Sequence, residues 1–279
     1  MKKTCFVLFV EVRMYPELFQ FGPIVISSFG AMMVAAFLSC NYLLKKEMIN
    51  SNLDENLADE ITTRAAIGGI VGAKVYYIIE NIPNGSLGDA FDGIVNIIIG
   101  IFTLDSGSIS AGIQNLGAGL VFYGGLIGGM VAVSLYVRKE KLNWFSIADW
   151  VAPYLALGHS IGRIGCFLVG DDYGKQCDSW YCIAFPNGLP PTIVPVYPTQ
   201  LFEMTAYFLV FLYLRFRRSR ENNNGNLMSK YLILVGLSRF IIEFIRVNPK
   251  YILGLSGAQL ISIIMIIIGS ILYYKLNKK

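Results

Sequence analysis

Between Gly158 and Gly174 the chain reads GHSIGRIGCFLVGDDYG. Arg163 stands inside this apolar, glycine-rich run, four residues after His159 and three before Cys166. The run then breaks into Asp171, Asp172 and Tyr173. A guanidinium in an apolar helix costs a few kcal/mol unless it faces a cavity, a partner or an anionic ligand. Further on, Glu203 follows YPTQLF, and Arg239, Glu243 and Arg246 recur at spacings that put them on one helix face. Guanidinium forks grip phosphate through paired N–H groups, and carboxylates hold the forks in place. These residues therefore suit an anionic lipid headgroup, although a purely structural ion-pair network uses the same residue types.

The elements that must carry them are membrane helices. Of 279 residues, 54% are hydrophobic and only 15% charged, where a soluble domain carries about 25% charged. The apolar runs are continuous rather than the alternating ~10-residue segments of a barrel, so the fold class is all-α and polytopic. Seven spans are expected, over about 21–44, 63–79, 117–137, 147–168, 198–216, 228–246 and 257–275. The second holds Gly68, Gly69, Gly72 and Ala73, a spacing of small residues that lets helices approach closely. Residues 91–103, FDGIVNIIIGIFT, are too short to span and read as re-entrant or interfacial.

Fourteen of the 23 Lys and Arg fall in 45–64, 138–143, 215–230 and 275–279, and Arg215, Arg217, Arg218 and Arg220 mark that side as cytoplasmic. The N-terminus and the loops at 80–116, 169–197 and 247–256 then face outward, with the C-terminus cytoplasmic. Residues 1–13 read as an N-terminal extension, and 14–279 as a single transmembrane domain. A lone histidine excludes a site built from several His ligands, and the five cysteines show no paired CxxC spacing. The Arg215–Arg220 cluster, lying directly inside a membrane helix, reads as a topology signal and not as a nucleic-acid patch. Glycines in 117–129 follow no strand and precede no Gly-Lys-Ser/Thr, so they serve close packing or lipid access rather than a phosphate loop. Cys177 and Cys182, in the outward loop, form either a small disulfide loop or two free thiols. Cys166 is either a nucleophile beside Arg163 or a small apolar packer.

The blocks YPELFQFGPIVISSFG, GGIVGAKVYYIIEN, GLVFYGGLIGG, GRIGCFLVGDDYG, YPTQLFE, RFIIEFIR and LSGAQLISIIM follow one another from Met14 onward. In this order they resemble the prolipoprotein diacylglyceryl transferase family, polytopic enzymes of the bacterial inner (cytoplasmic) membrane. The resemblance implies transfer of the diacylglyceryl group of phosphatidylglycerol to the lipobox cysteine of prolipoproteins, with release of glycerol phosphate. It implies no metal or organic cofactor, and no nucleic acid partner. By position, Arg163 and Arg239 match arginines that contact the phosphate, and Arg246 joins them at the headgroup. Gly170 and Gly174 match glycines of the signature, Asp171 stands where the family commonly has Glu, and Glu203 and Glu243 match family carboxylates. Gln200 and Gln259 match as polar supports.

Three positions depart from the pattern. Tyr123 stands where the family has the histidine of HGGL, Cys166 replaces the asparagine of GRIGN, and Phe29 replaces a tyrosine. Attack by a thiol requires a proton acceptor. Tyr123, with an ordinary pKa near ~10, is a poor one unless an arginine lowers it. His159, one helix turn from Arg163, is the other candidate for the role. The departures also leave open a relative that keeps the lipid pocket but modifies a different acceptor, or a lipid-binding membrane protein without catalysis.

Overall fold

The computed structural model describes residues 14–21, 24–82, 86–103, 105, 107–108, 111–112, 122–221 and 223–278. Among them the protein is mostly helical: α1 (Ser28–Asn50), α2 (Asn56–Glu80), α3 (Ser86–Thr103), α4 (Phe122–Lys139), α5 (Trp144–Val169), α6 (Thr199–Arg217), α7 (Asn226–Ile242) and α8 (Gly257–Asn277). Four short strands accompany them, β1 (Glu17–Phe21), β2 (Ile24–Ser27), β3 (Ile183–Phe185) and β4 (Thr192–Val196). By length and composition α1 and α8 are long and apolar enough to cross a membrane. The expected extension at 1–13 and the expected start of the third span at Gly117 lie outside the described residues.

Several helix boundaries differ from the sequence reading; α2, expected from about 63, already starts at Asn56. The β-branched run Ile24-Val25-Ile26 favours extended backbone, so α1 starts at Ser28 and not near Phe21. Lys45 and Lys46 do not end α1, which runs on to Asn50; Lys45 instead pairs with Asp59 of α2 at 2.9 Å. The apolar run expected over 91–103 is a longer helix, α3, beginning at Ser86.

The chain divides into two compact units, 20–25 with 45–144, and the remainder. In the first, α2 and α4 pack through facing glycines. A Cβ on Gly72 would lie 2.4 Å from the Gly124 carbonyl, and one on Gly128 would lie 2.3 Å from that of Gly68. Backbones this close gain dispersion contacts that larger residues would block, which is the packing the glycine spacing predicts. Lys74 of α2 lies over the Tyr77 ring.

The second unit contains most of α1 together with α5, α6, α7 and α8. Ala152 and Ala156 of α5 leave room for Tyr207, Val210 and Leu214 of α6 and for Tyr231 and Val235 of α7. At its first turns α5 reaches across to α7: the Asp149 carboxylate accepts the N–H groups of Gly225 (2.6 Å) and Met228 (2.7 Å), satisfying donors that open a helix. Gly225 has φ +100, a conformation that favours glycine. The segment between α5 and α6, expected as a loop, contains the β3–β4 hairpin. Cys177 and Cys182 in it are disulfide-bonded.

Candidate functional site

The site grows from one side chain. Glu203 lies one turn into α6 and its carboxylate is fully buried. A carboxylate with no access to water needs cationic partners close by, and three arginines supply them. Arg163 of α5 places Nε 2.5 Å from Glu203 Oε2. Arg239 of α7 donates to Oε1, and Arg246 Nη1 stands 3.6 Å from the same oxygen.

A second carboxylate backs the network. Glu243 pairs with Arg239 at 3.0 Å and with Arg246 at 3.5 Å. Its Oε1 accepts the Ser256 hydroxyl at 2.7 Å and the Asn248 amide at 2.6 Å. Ser256 also caps α8 reciprocally with Gln259, so Gln259 supports the network through the cap. The α7 helix stops at Ile242 and a short 3-10 turn, Glu243–Ile245, follows. Arg246 is therefore off the helix, in extended backbone, rather than on the shared helical face that its spacing suggests.

Two glycines make the outer wall. Gly174 pairs antiparallel with Arg246, and a Cβ there would lie 2.6 Å from the Ile245 carbonyl. Gly170 has φ +72 and approaches the Gly188 backbone closely. The Gly170-to-Gly174 turn carries Asp171 and Asp172 over the arginines. The Asp172 carboxylate bridges Arg163 (2.7 Å) and Arg246 (2.6 Å), and its carbonyl accepts from Thr199 (2.6 Å) and Arg246 (2.8 Å). Gln200 donates to the Asp171 carbonyl, in keeping with its expected role as a polar support. The Asp171 carboxyl hydrogen-bonds the Cys166 thiol, which also lies 3.6 Å from Arg163 Nη1.

Electrostatics separates the two aspartates. Burial, and next the negative charge of Asp172, push the Asp171 carboxyl up to about 6. Burial would raise Asp172 as well, but Arg246 first and Arg163 next hold it below the ordinary carboxylate range.

Of the residues singled out by sequence, Arg163, Gly170, Asp171, Gly174, Glu203, Arg239, Glu243 and Arg246 come together here. His159 lies one turn before Arg163 on α5, its ring 5.5 Å from that of Tyr207 and 6.3 Å from that of Tyr231. The side chain of Tyr123 lies outside the described residues. Asp172, Thr199, Asn248 and Ser256 were not singled out for roles. Asp172 had a signal, being the second acid of a glycine-bounded pair; the others are polar residues in loops or first turns with no distinctive spacing.

The pattern of the family described as prolipoprotein diacylglyceryl transferase matches residues 16–275. Similar proteins include phosphatidylglycerol–prolipoprotein diacylglyceryl transferase 2 of Clostridium perfringens, 34% identical over 91% of both chains. The phosphatidylglycerol–prolipoprotein diacylglyceryl transferase of Clostridium tetani is 33% identical over 92% of this chain and 95% of its own. That of Vibrio cholerae is 29% identical over 91% and 88%. With a match to nearly its whole length, the chain belongs to the prolipoprotein diacylglyceryl transferase family and is a transferase of it.

Proposed function

We propose that this protein transfers the diacylglyceryl group of phosphatidylglycerol to the lipobox cysteine of prolipoprotein signal peptides, the first step of bacterial lipoprotein maturation. The observation that carries this reading is the convergence of Arg163, Arg239 and Arg246 on buried Glu203, with the side chains of Arg163 and Arg239 about a fifth exposed. Arg163 and Arg239 hold the phosphate and stabilise its charge as it leaves. Glu203, Glu243 and Asp171 orient the arginines or the substrate, and Arg246, Gly170 and Gly174 complete the headgroup site. His159 or Tyr123 takes the proton of the acceptor thiol. The sulfur then attacks the glyceryl C3: the S–C bond forms, the C3–O bond to phosphate breaks, and glycerol phosphate departs with the electron pair. The chemistry requires no cofactor, because the phosphate ester is itself the leaving group.

In this reading residues 14–279 form one transmembrane transferase domain of about seven spans in the bacterial inner membrane. The N-terminus and the loops at 80–116 and 169–197 face outward, the C-terminus lies in the cytoplasm, and the site opens toward the outer face. The pattern of basic residues supports this orientation.

The test is glycerol phosphate release by the purified protein, given phosphatidylglycerol and a lipobox peptide, with a Cys→Ser peptide as control. Release that depends on the thiol is the expected result. Binding of phosphatidylglycerol without release would instead indicate a lipid-binding protein. One observation favours a second reading, a paralogue acting on a different acceptor: a thiol, Cys166, stands against Arg163 where the family pattern has an amide. Release with another thiol acceptor, but not with the lipobox peptide, would select it.

A further inference from the structure

We propose that Asp172 is a displaceable counterion of the headgroup site: between turnovers it occupies Arg163 and Arg246, and it yields them to the phosphate of the donor. This role rests on the donor assignment above and makes Asp172 the residue that sets how tightly the headgroup and the departing glycerol phosphate are held.

Charge balance poses the problem that Asp172 solves. Three guanidiniums, those of Arg163, Arg239 and Arg246, face three carboxylates, those of Asp172, Glu203 and Glu243, and Asp171 beside them adds a further negative charge above about pH 6. A cluster without net positive charge offers a phosphodiester anion little attraction. One carboxylate has to give way. Glu203 and Glu243 cannot, since their side chains are 0% and 1% exposed and each is held by more than one arginine. The Asp172 side chain is 43% exposed.

Geometry points to the same residue. The two Asp172 oxygens each take an N–H from a different guanidinium, Oδ2 from Arg163 and Oδ1 from Arg246. Two oxygens of a phosphate accept N–H groups from paired arginines in the same manner. The Asp172 backbone is fixed separately, through its carbonyl to Thr199 and Arg246, in the left-handed conformation (φ +61). Rotation about χ1 alone can therefore withdraw the carboxylate while the turn that shapes the site stays in place. Arg246 retains the Asp172 carbonyl and Glu243 when the side chain leaves.

The experiment compares wild type with Asp172→Asn and Asp172→Glu in two measurements. The first is KM for phosphatidylglycerol in the thiol-dependent release assay. The second is the affinity for glycerol phosphate alone, by direct titration. Asp172→Asn is expected to lower both KM and the dissociation constant by about tenfold, because one competing charge is gone. Its kcat falls as product leaves more slowly, and Asp172→Glu restores wild-type behaviour. A purely structural clamp would weaken both affinities when lost, so unchanged or raised values in Asp172→Asn overturn the proposal. Asp172→Ser removes the same charge should the amide variant fail to fold. Absence of release by the wild type with any thiol acceptor would overturn the transfer reaction, while the titration would still decide the role of Asp172.

Discussion

Glu203 Oε2 lies 2.5 Å from Arg163 Nε, and the carboxylate that makes this contact has no exposure to solvent. The same group receives Arg239, so helices α5, α6 and α7 meet at one buried negative charge. Removing it takes the shared buried charge from three guanidiniums and leaves Arg163 with Asp172 and Arg239 with Glu243 alone. Glu203→Gln keeps the shape and deletes the charge. It is expected to lower stability by about 3 kcal/mol, as broken buried pairs do, and kcat/KM by about 100-fold or more. Thermal unfolding and the release assay measure the two effects.

Gly174 tests how closely the outer turn must approach Arg246. An alanine Cβ there would lie 2.6 Å from the Ile245 carbonyl and 2.9 Å from both Tyr197 Cβ and Thr199 Cγ2. Such overpacking costs about 1–3 kcal/mol and moves the backbone that presents Arg246. Gly174→Ala should raise KM for phosphatidylglycerol and lower the melting temperature, as steady-state kinetics beside calorimetry will show.

Asp171 gives the site a pH dependence of defined sign. Its carboxyl, pushed up to about 6 by burial and by Asp172, is neutral below that pH and adds a negative charge above it. Headgroup affinity should therefore weaken as pH rises through about 6, and Asp171→Asn should flatten that inflection in a KM-against-pH profile. The stability effect runs in the same direction. The folded chain binds this proton more tightly than a carboxyl of ordinary pKa 3.8, so the group's contribution declines as pH rises from there to about 6 and is level beyond.

The assignment of the thiol's proton acceptor turns on His159. General-base removal costs about 10²–10⁴-fold, so His159→Gln should reduce turnover by at least two orders of magnitude. Full activity in that variant would pass the role to Tyr123.

The Cys177–Cys182 bridge closes a small loop in the segment between α5 and α6. Closing a loop of this size contributes roughly 2 kcal/mol on the chain-entropy account. Replacing both cysteines by serine should expose 177–182 to limited proteolysis.

Much of the fold was legible because lipid imposes a severe rule: long apolar runs become helices. The glycines of α2 likewise announced a close neighbour, and α4 provides it through Gly124 and Gly128. Boundaries were less legible where local forces compete, as at Ile24–Ser27, where β-branched residues favour a strand ahead of α1. The site was visible through its arginines and glutamates, whose cost in an apolar setting demands partners. Asp172 was harder to assign, since nothing in the sequence distinguishes which of two adjacent acids reaches the arginines. That choice depends on the positive φ of Asp172 and on Arg246 leaving its helix, both products of tertiary contact.

The Asp149 clamp carries a consequence for the arginines far along the same helices. From Asp149 to Arg163 on α5 is 14 residues, and from Gly225 to Arg239, along α7, is also 14. Asp149 joins the starts of these two intervals and Glu203 joins their ends. At 1.5 Å per residue each interval amounts to about 21 Å, with Pro153 inside the α5 stretch and Gly225 capping α7, so the two helices are pinned at both ends over matched lengths. Deleting one residue from either interval would draw its arginine back by about 1.5 Å and turn it through about 100°. The spacing of the Arg163 and Arg239 guanidiniums is thus gauged from the far end of the bundle.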